Sequence, residues 1–197
     1  MLSGVAIFDD FLGDEAARAL LDFALANEAG FASSTIVAKG DDEVYSDIRR
    51  SLTFRGDWDA LRAHFRAAVF ARMEEILAAT GIANWEPKTT QIDLAAHRDG
   101  DFYRTHIDTL IGEAKAQSVR MISSVYYYHR RPKGFSDGEL RIRDIMSDEE
   151  MLITPKHDRL VVFASMLPHE VLPIRIAGNA FEDARFSVNC WINRERD

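Results

Sequence analysis

Past residue 86 the spacing of apolar residues changes from helical to alternating, and this restricts the fold more than any other feature of the chain. "KTTQIDLAA", "VRMISSVYYYH", "GELRIRD", "DRLVVFA", "HEVLPIRI" and "ARFSVNCWINR" read as short strands, separated by Gly, Pro, Asp and Asn clusters. No helical stretch lies between them. Many short strands in succession imply an antiparallel sandwich or barrel, so the expected class is α+β and mainly β.

The part before residue 86 reads as helical. In "GDEAARALLDFALANEAGF", Asp14 is the expected N-cap, Leu20, Leu21, Phe23 and Leu25 fall near helical spacing, and Gly30 is the stop. A second helix is expected from near Asp57 to Gly81, with an apolar stripe of Leu61, Phe65, Val69, Ile76 and Leu77. His64 lies beside that stripe and reads as a partly exposed helix histidine. These helices are expected to pack outside one sheet. A chain of 197 residues suits a single domain, with helical support over about 1–85 and a β core over about 86–197.

The net charge of −8 and a pI near 5.3 argue against a nucleic-acid surface, which needs a clustered basic face. No apolar run is long enough to span a bilayer. The opening "MLSGVAIFDDFL" has no basic segment before its apolar residues, unlike a secretory signal. The single cysteine, Cys190, allows no internal disulfide and fits a reducing cytoplasm, the expected location. Nothing in the sequence marks an oligomeric state.

The last strand carries two faces. Phe186, Val188, Cys190 and Ile192 share one; Arg185, Ser187, Asn189 and Trp191 share the other. A polar face is usually solvated, but Trp191 on it favours a ligand cavity. Two His-x-Asp pairs then call for explanation. With 32 acidic residues in 197, such spacing arises easily by chance. On a strand, residues two apart point the same way, so His106 and Asp108 of "DFYRTHIDT" can converge on one ion. His97 and Asp99 run into a turn composition with Gly100, where alternation is not assured.

A third ligand is needed. His129 and His157 read as sitting in polar, exposed turns, "YYYHRRPKG" and "TPKHDRL", whereas His169 begins the extended apolar "HEVLPI". Two histidines and a carboxylate form the facial triad of non-haem Fe(II) oxygenases. A zinc hydrolase is the physical rival, although its best general base, Glu170, should point to the far side of its strand from His169. Arg185 on a cavity face would offer a fork to an anionic co-substrate, and Tyr127 a hydroxyl. Taken singly, Arg185 reads as a surface ion pair and "VYYYH" as an ordinary strand.

The ordered set "FYRTHID", "GELRIRD", "PKHDRLVVF", "LPHEVLPI", "ARFSVNCW", with "IFDDFLGDEAARALLDFAL" and "DIRRS" before it, resembles the prolyl 4-hydroxylase-like branch of the Fe(II)/2-oxoglutarate-dependent dioxygenases. The likeness covers nearly the whole chain. It implies a double-stranded β-helix (jelly roll) flanked by N-terminal helices. It implies Fe(II) on His106, Asp108 and His169, and the distal carboxylate of 2-oxoglutarate on Arg185, helped by Tyr127 and Ser187. Trp191 would line the pocket. The implied reaction consumes O2 and 2-oxoglutarate, with ascorbate as a reductant, hydroxylates a C–H bond and releases succinate and CO2. The implied substrate is a small molecule or a peptide: a peptidyl proline, an amino acid or a metabolite. A metal-binding jelly roll without activity, acting as a sensor or partner, is the alternative. Two departures stand out. Relatives often carry a tyrosine about ten residues before the first ligand, where this chain has Ala95 and Ala96. The stretch from His169 to Arg185 is also long, which implies a surface loop. Arg104, Arg141 and Arg143 lie on strands near the implied mouth and read first as solvated charges, second as contacts for an anionic substrate.

Overall fold

Two antiparallel sheets form from the alternating half of the chain, and short strands from the first half extend both. The computed structural model describes residues 2–38, 41–43, 46–82, 85–87, 89–109, 118–178 and 180–195. In chain order the strands are β1 (Val5–Asp9), β2 (Phe31–Ser33), β3 (Ile36–Ala38), β4 (Asp41–Glu43), β5 (Arg49–Arg50), β6 (Leu52–Phe54), β7 (Thr89–His97), β8 (Phe102–His106), β9 (Ser118–Tyr128), β10 (Phe135–Asp137), β11 (Leu140–Arg143), β12 (Glu150–Ile153), β13 (Arg159–Ala164), β14 (His169–Val171), β15 (Ile174–Ile176) and β16 (Arg185–Glu195). The helices are α1 (Asp14–Ala26), α2 (Asp59–Ala71) and α3 (Met73–Thr80).

The larger sheet has seven strands in the order β1-β13-β9-β16-β7-β6-β2, and the smaller has five in the order β12-β11-β14-β8-β5. Two short ribbons, β3-β4 and β10-β15, complete the pairing. This is the mainly-β jelly-roll arrangement the sequence leads one to expect. The segment before residue 86, read as helical, also supplies β1 and β6 to the larger sheet and β5 to the smaller one.

Period-two alternation decides which side each residue serves. Tyr126 and Tyr128 of β9, Leu160 and Val162 of β13, and Phe186, Val188, Cys190 and Ile192 of β16 face a core shared with the helices. Tyr127, Val161 and Phe163 face a second core, closed by Leu140, Ile142 and Ile153 of the smaller sheet. The larger sheet is therefore buried on both faces, which is why "LVVFA" in β13 is a continuous apolar run.

Three local expectations change. Asp14 is the first helical residue rather than the cap; the cap is Gly13, at φ 84, a conformation that favours glycine. The acceptor for the helix start comes from elsewhere: Asp158 takes hydrogen bonds from the amides of Leu12 (2.8 Å) and Gly13 (2.9 Å) and from the Tyr126 hydroxyl (2.8 Å). The expected single helix over 57–81 breaks at Arg72, because α2 packs on β7 whereas α3 packs on β1 and β13. Gly81 does end α3, in the left-handed region. "HEVLPIRI" splits at Leu172 and Pro173, since Pro173 has no N–H to give a ladder.

Candidate metal and co-substrate centre

His106 ends β8, and His169 opens β14 directly opposite it. Asp108 lies two residues past His106, and its amide is tied to the Ser165 carbonyl (2.9 Å). One ligand atom from each of His106, Asp108 and His169 lies within 4.8 Å of the others. Nε2 of His106 is 3.7 Å from Asp108 Oδ1, and Nε2 of His169 is 3.4 Å from Oδ2. Ligands bound at about 2.1 Å and at right angles stand about 3 Å apart, so a small inward movement closes this set on an ion. Each histidine is aimed by its other nitrogen: Nδ1 of His106 donates to the Arg104 carbonyl (2.8 Å), and Nδ1 of His169 to the Leu167 carbonyl (2.9 Å). The Ser123 hydroxyl donates to Asp108 Oδ2 at 2.6 Å and is itself bonded to Ser165.

The protonation states suit a metal. Burial, then the neighbouring His169, pushes His106 down to about 3, so its imidazole is neutral at ordinary pH. Burial opposes ionisation of Asp108, but His169, His106 and hydrogen bonds from Ser123 and Trp191 outweigh it and hold its carboxyl below the usual range. Neutral imidazoles and an ionised carboxylate are the forms that bind cations.

A bulge adds a residue that alternation alone would send elsewhere. His169 pairs with His106, but Val171 pairs with Tyr103, so β8 carries one residue more than β14 over this span. Tyr103 thereby lies against His106, ring centroids 3.6 Å apart, and lines the same pocket.

Arg185 opens β16 on the other wall, 1% exposed. Its guanidinium lies 4.7 Å from the Tyr127 ring centroid, and Nη1 donates to Nδ1 of His97 at 3.3 Å. No carboxylate among the described residues pairs with it. Its Nε and Nη2, and the Tyr127 hydroxyl, have no hydrogen-bond partner among the described residues. A buried cation in this state is costly unless an anion completes it. A carboxylate presented to this fork fits the donors left over. Ser187 is fully buried on the same face, and Trp191 lines the metal side of the pocket.

His97 also lines this pocket, although the turn composition that follows it, with Gly100, gives no assurance of alternation there. It is the last residue of β7, paired with Arg185 across β16. It stands outside the ligand cluster. Ser123, Tyr103 and Asn189 are further lining residues; the sequence sets Tyr103 beside the His-x-Asp pair and Asn189 on the polar face of its strand, and carries no sign of Ser123. Ala95 and Ala96 are fully buried. Arg141 and Arg143 are engaged by Glu170 and Glu150, with Arg141 Nε 2.7 Å from Glu170, so Glu170 has a partner away from the metal ligands. His64 stays exposed on α2. His129 is buried rather than in an exposed turn, because its ring packs against His157 and Phe135, and both His129 and His157 stand outside the ligand cluster.

Comparison with known proteins now decides the family. The profile of the 2OG-Fe(II) oxygenase superfamily matches residues 92–193, which include His106, Asp108, His169 and Arg185.

The chain belongs to the 2OG-Fe(II) oxygenase superfamily.

Members of this superfamily use Fe(II), 2-oxoglutarate and O2, and the His-Asp-His set of this chain fits the iron. An uncharacterised PKHD-type hydroxylase of Synechocystis is 33% identical over 144 residues, covering 69% of this chain and 46% of that protein. The chain thus spans about half the length of the curated relative it matches. A Pseudomonas putida prolyl-4-hydroxylase is 25% identical, with TM-score 0.71, over 98% of this chain and 94% of that one. A Trichoplax adhaerens prolyl hydroxylase, solved with a hypoxia inducible factor peptide, shares the fold at TM-score 0.73 and 20% identity, over 96% of this chain and 83% of that one. No helix among the described residues is long and apolar enough to cross a membrane.

Proposed function

We propose that this oxygenase hydroxylates an unactivated C–H bond of an amino acid, small metabolite or peptidyl residue, turning 2-oxoglutarate into succinate and CO2. His106, Asp108 and His169 hold Fe(II), and Arg185 with Tyr127 and Ser187 receives the distal carboxylate of 2-oxoglutarate. Iron, O2 and 2-oxoglutarate together supply the oxidising power that breaks the C–H bond. The observation that carries this reading is Arg185: a fully enclosed guanidinium with two nitrogens lacking acceptors, in the pocket that holds three convergent metal ligands.

The chain's own residues do the rest. Ser123 and the backbone carbonyls of Arg104 and Leu167 fix the ligands, so little reorganisation is left for metal binding. His97 accepts from Arg185 and turns one edge of the fork, leaving the remaining donors for an anion. The two prolyl hydroxylases of similar fold support hydroxylation as the reaction class.

Purified protein with Fe(II) and ascorbate should convert 2-oxoglutarate to succinate, slowly even without a substrate. Binding of 2-oxoglutarate to the Fe(II) form should produce a metal-to-ligand absorption band. Absence of the band at saturating 2-oxoglutarate refutes the oxygenase reading and leaves a metal-binding jelly roll.

A further inference from the structure

Arg49 is a second arginine turned into this pocket, and the reaction outlined above has no task for it. The two residues of β5 pair with β8, Arg49 against Tyr103 and Arg50 against Phe102. Alternation sends Arg50 outward, where it lies 4.8 Å from the Phe102 ring, and Arg49 inward, 4.9 Å from the Tyr103 ring. Tyr103 in turn stacks on His106. Arg49, Tyr103 and His106 therefore form a continuous stack from the rim of the smaller sheet to the metal ligands.

The Nε of Arg49 is bound to the Ser51 hydroxyl at 2.8 Å, which fixes the plane of the guanidinium. No ion pair engages Arg49 among the described residues, whereas Arg141 and Arg143, also on this sheet, each have carboxylates within 4.0 Å. Arg49 nevertheless lines the cavity that contains the triad, and burial lowers the pKa of its cation. A planar fork held by one edge, with the other edge open to a cavity, matches one carboxylate.

The co-substrate cannot serve both arginines. A dicarboxylate with one end at the metal and the other on Arg185 has no carboxylate left for Arg49. We propose that Arg49 is a second carboxylate anchor, and that the substrate admitted beside the metal is a small carboxylic acid, amino acids included. This rests on the assignment of Arg185 to 2-oxoglutarate.

The test uses the full chain loaded with Zn(II), a redox-inert stand-in, and saturated with 2-oxoglutarate. The arginine Nε–Hε resonances are followed by NMR, with Arg49 assigned by loss of its signal in Arg49→Lys. Propionate should then shift the Arg49 resonance saturably, and propionamide should shift it at least tenfold less at equal concentration. Addition of 2-oxoglutarate itself should move Arg185 and leave Arg49 within its line width. Three results overturn the proposal: no saturable shift with propionate, equal shifts with the acid and the amide, or saturation of Arg49 by 2-oxoglutarate alone. The last would assign Arg49 to the co-substrate. A failure of Arg185 to respond to 2-oxoglutarate would instead overturn the assignment beneath it, so the two failures are distinguishable.

Discussion

His97–Asp99 and His106–Asp108 share one spacing and lie at the ends of consecutive strands, yet only the second pair joins the candidate metal cluster among the described residues. The surroundings differ in charge. His97 faces the cations of Arg185 and Arg49, which together with burial hold its pKa well below the histidine range. Its partner Asp99 is turned to the surface, accepting a hydrogen bond from the Ile176 amide at 2.8 Å. His106 faces a carboxylate and a second imidazole. A dication is repelled at the first position and attracted at the second. On the function proposed above, the same three-residue pattern would serve two ends of one pocket: the first steadying an anion anchor, the second collecting a cation.

The largest test of this contrast exchanges the two histidines' fates. His106→Ala or His169→Ala should abolish succinate formation and weaken Fe(II) binding by more than about 100-fold, beyond the loss usual for outer-shell changes. His97→Ala should keep metal affinity, read by Co(II) titration. Equal metal loss in His97→Ala would erase the distinction.

Next in size, Arg185→Gln should raise the 2-oxoglutarate concentration for half-maximal turnover by about 100-fold, as expected for losing about 3 kcal/mol of charge-assisted hydrogen bonding. An unchanged requirement removes Arg185 from the anchor role. Ser123→Ala frees Asp108 from its strongest tie and should cost about tenfold in metal affinity with the fold intact. His97→Ala should raise the 2-oxoglutarate requirement only about fivefold, the worth of one neutral hydrogen bond of about 1 kcal/mol.

The smallest effect is in pH. Both histidines are lowered in the fold, so the unfolded chain binds more protons than the native one below the ordinary value of 6.5. Stability of the metal-free protein is fully present above that value and should be lost as pH falls from there towards about 3, where His106 titrates. His97→Asn should shallow this acid limb in urea melts; an identical limb would mean that His97 is not held neutral by the fold.

Much of this was open to reading in the residues themselves. The two faces of β16 follow from period two, because a central strand packed on both sides leaves no freedom in its alternation. The candidate ligands follow from two readings: His106 and Asp108 stand two apart on one strand face, and His169, alone of the remaining histidines, begins an extended apolar segment. The stacking of Tyr103 on His106 is not legible in the sequence, because the bulge in β8 shifts parity by one and no local signal marks where a bulge falls. The true acceptor at the start of α1 escaped because Asp158 lies 145 residues from Gly13. The break at Arg72 depends on which strands lie beneath each half of the helix, not on the helix's own pattern. His97 was dismissed on its neighbours in sequence; its neighbours in space, Arg49 and Arg185, come from both halves of the chain.

The placement of β16 also has a consequence for biosynthesis. It lies between β9 and β7, yet its residues are made after both. Until residues 185–195 leave the ribosome, the larger sheet exists only as two halves, each with an unpaired edge and apolar faces. A message cut short before residue 185 should therefore yield more than the loss of one cavity side chain. It yields a split sheet, the kind of exposed edge that chaperones retain and proteases clear.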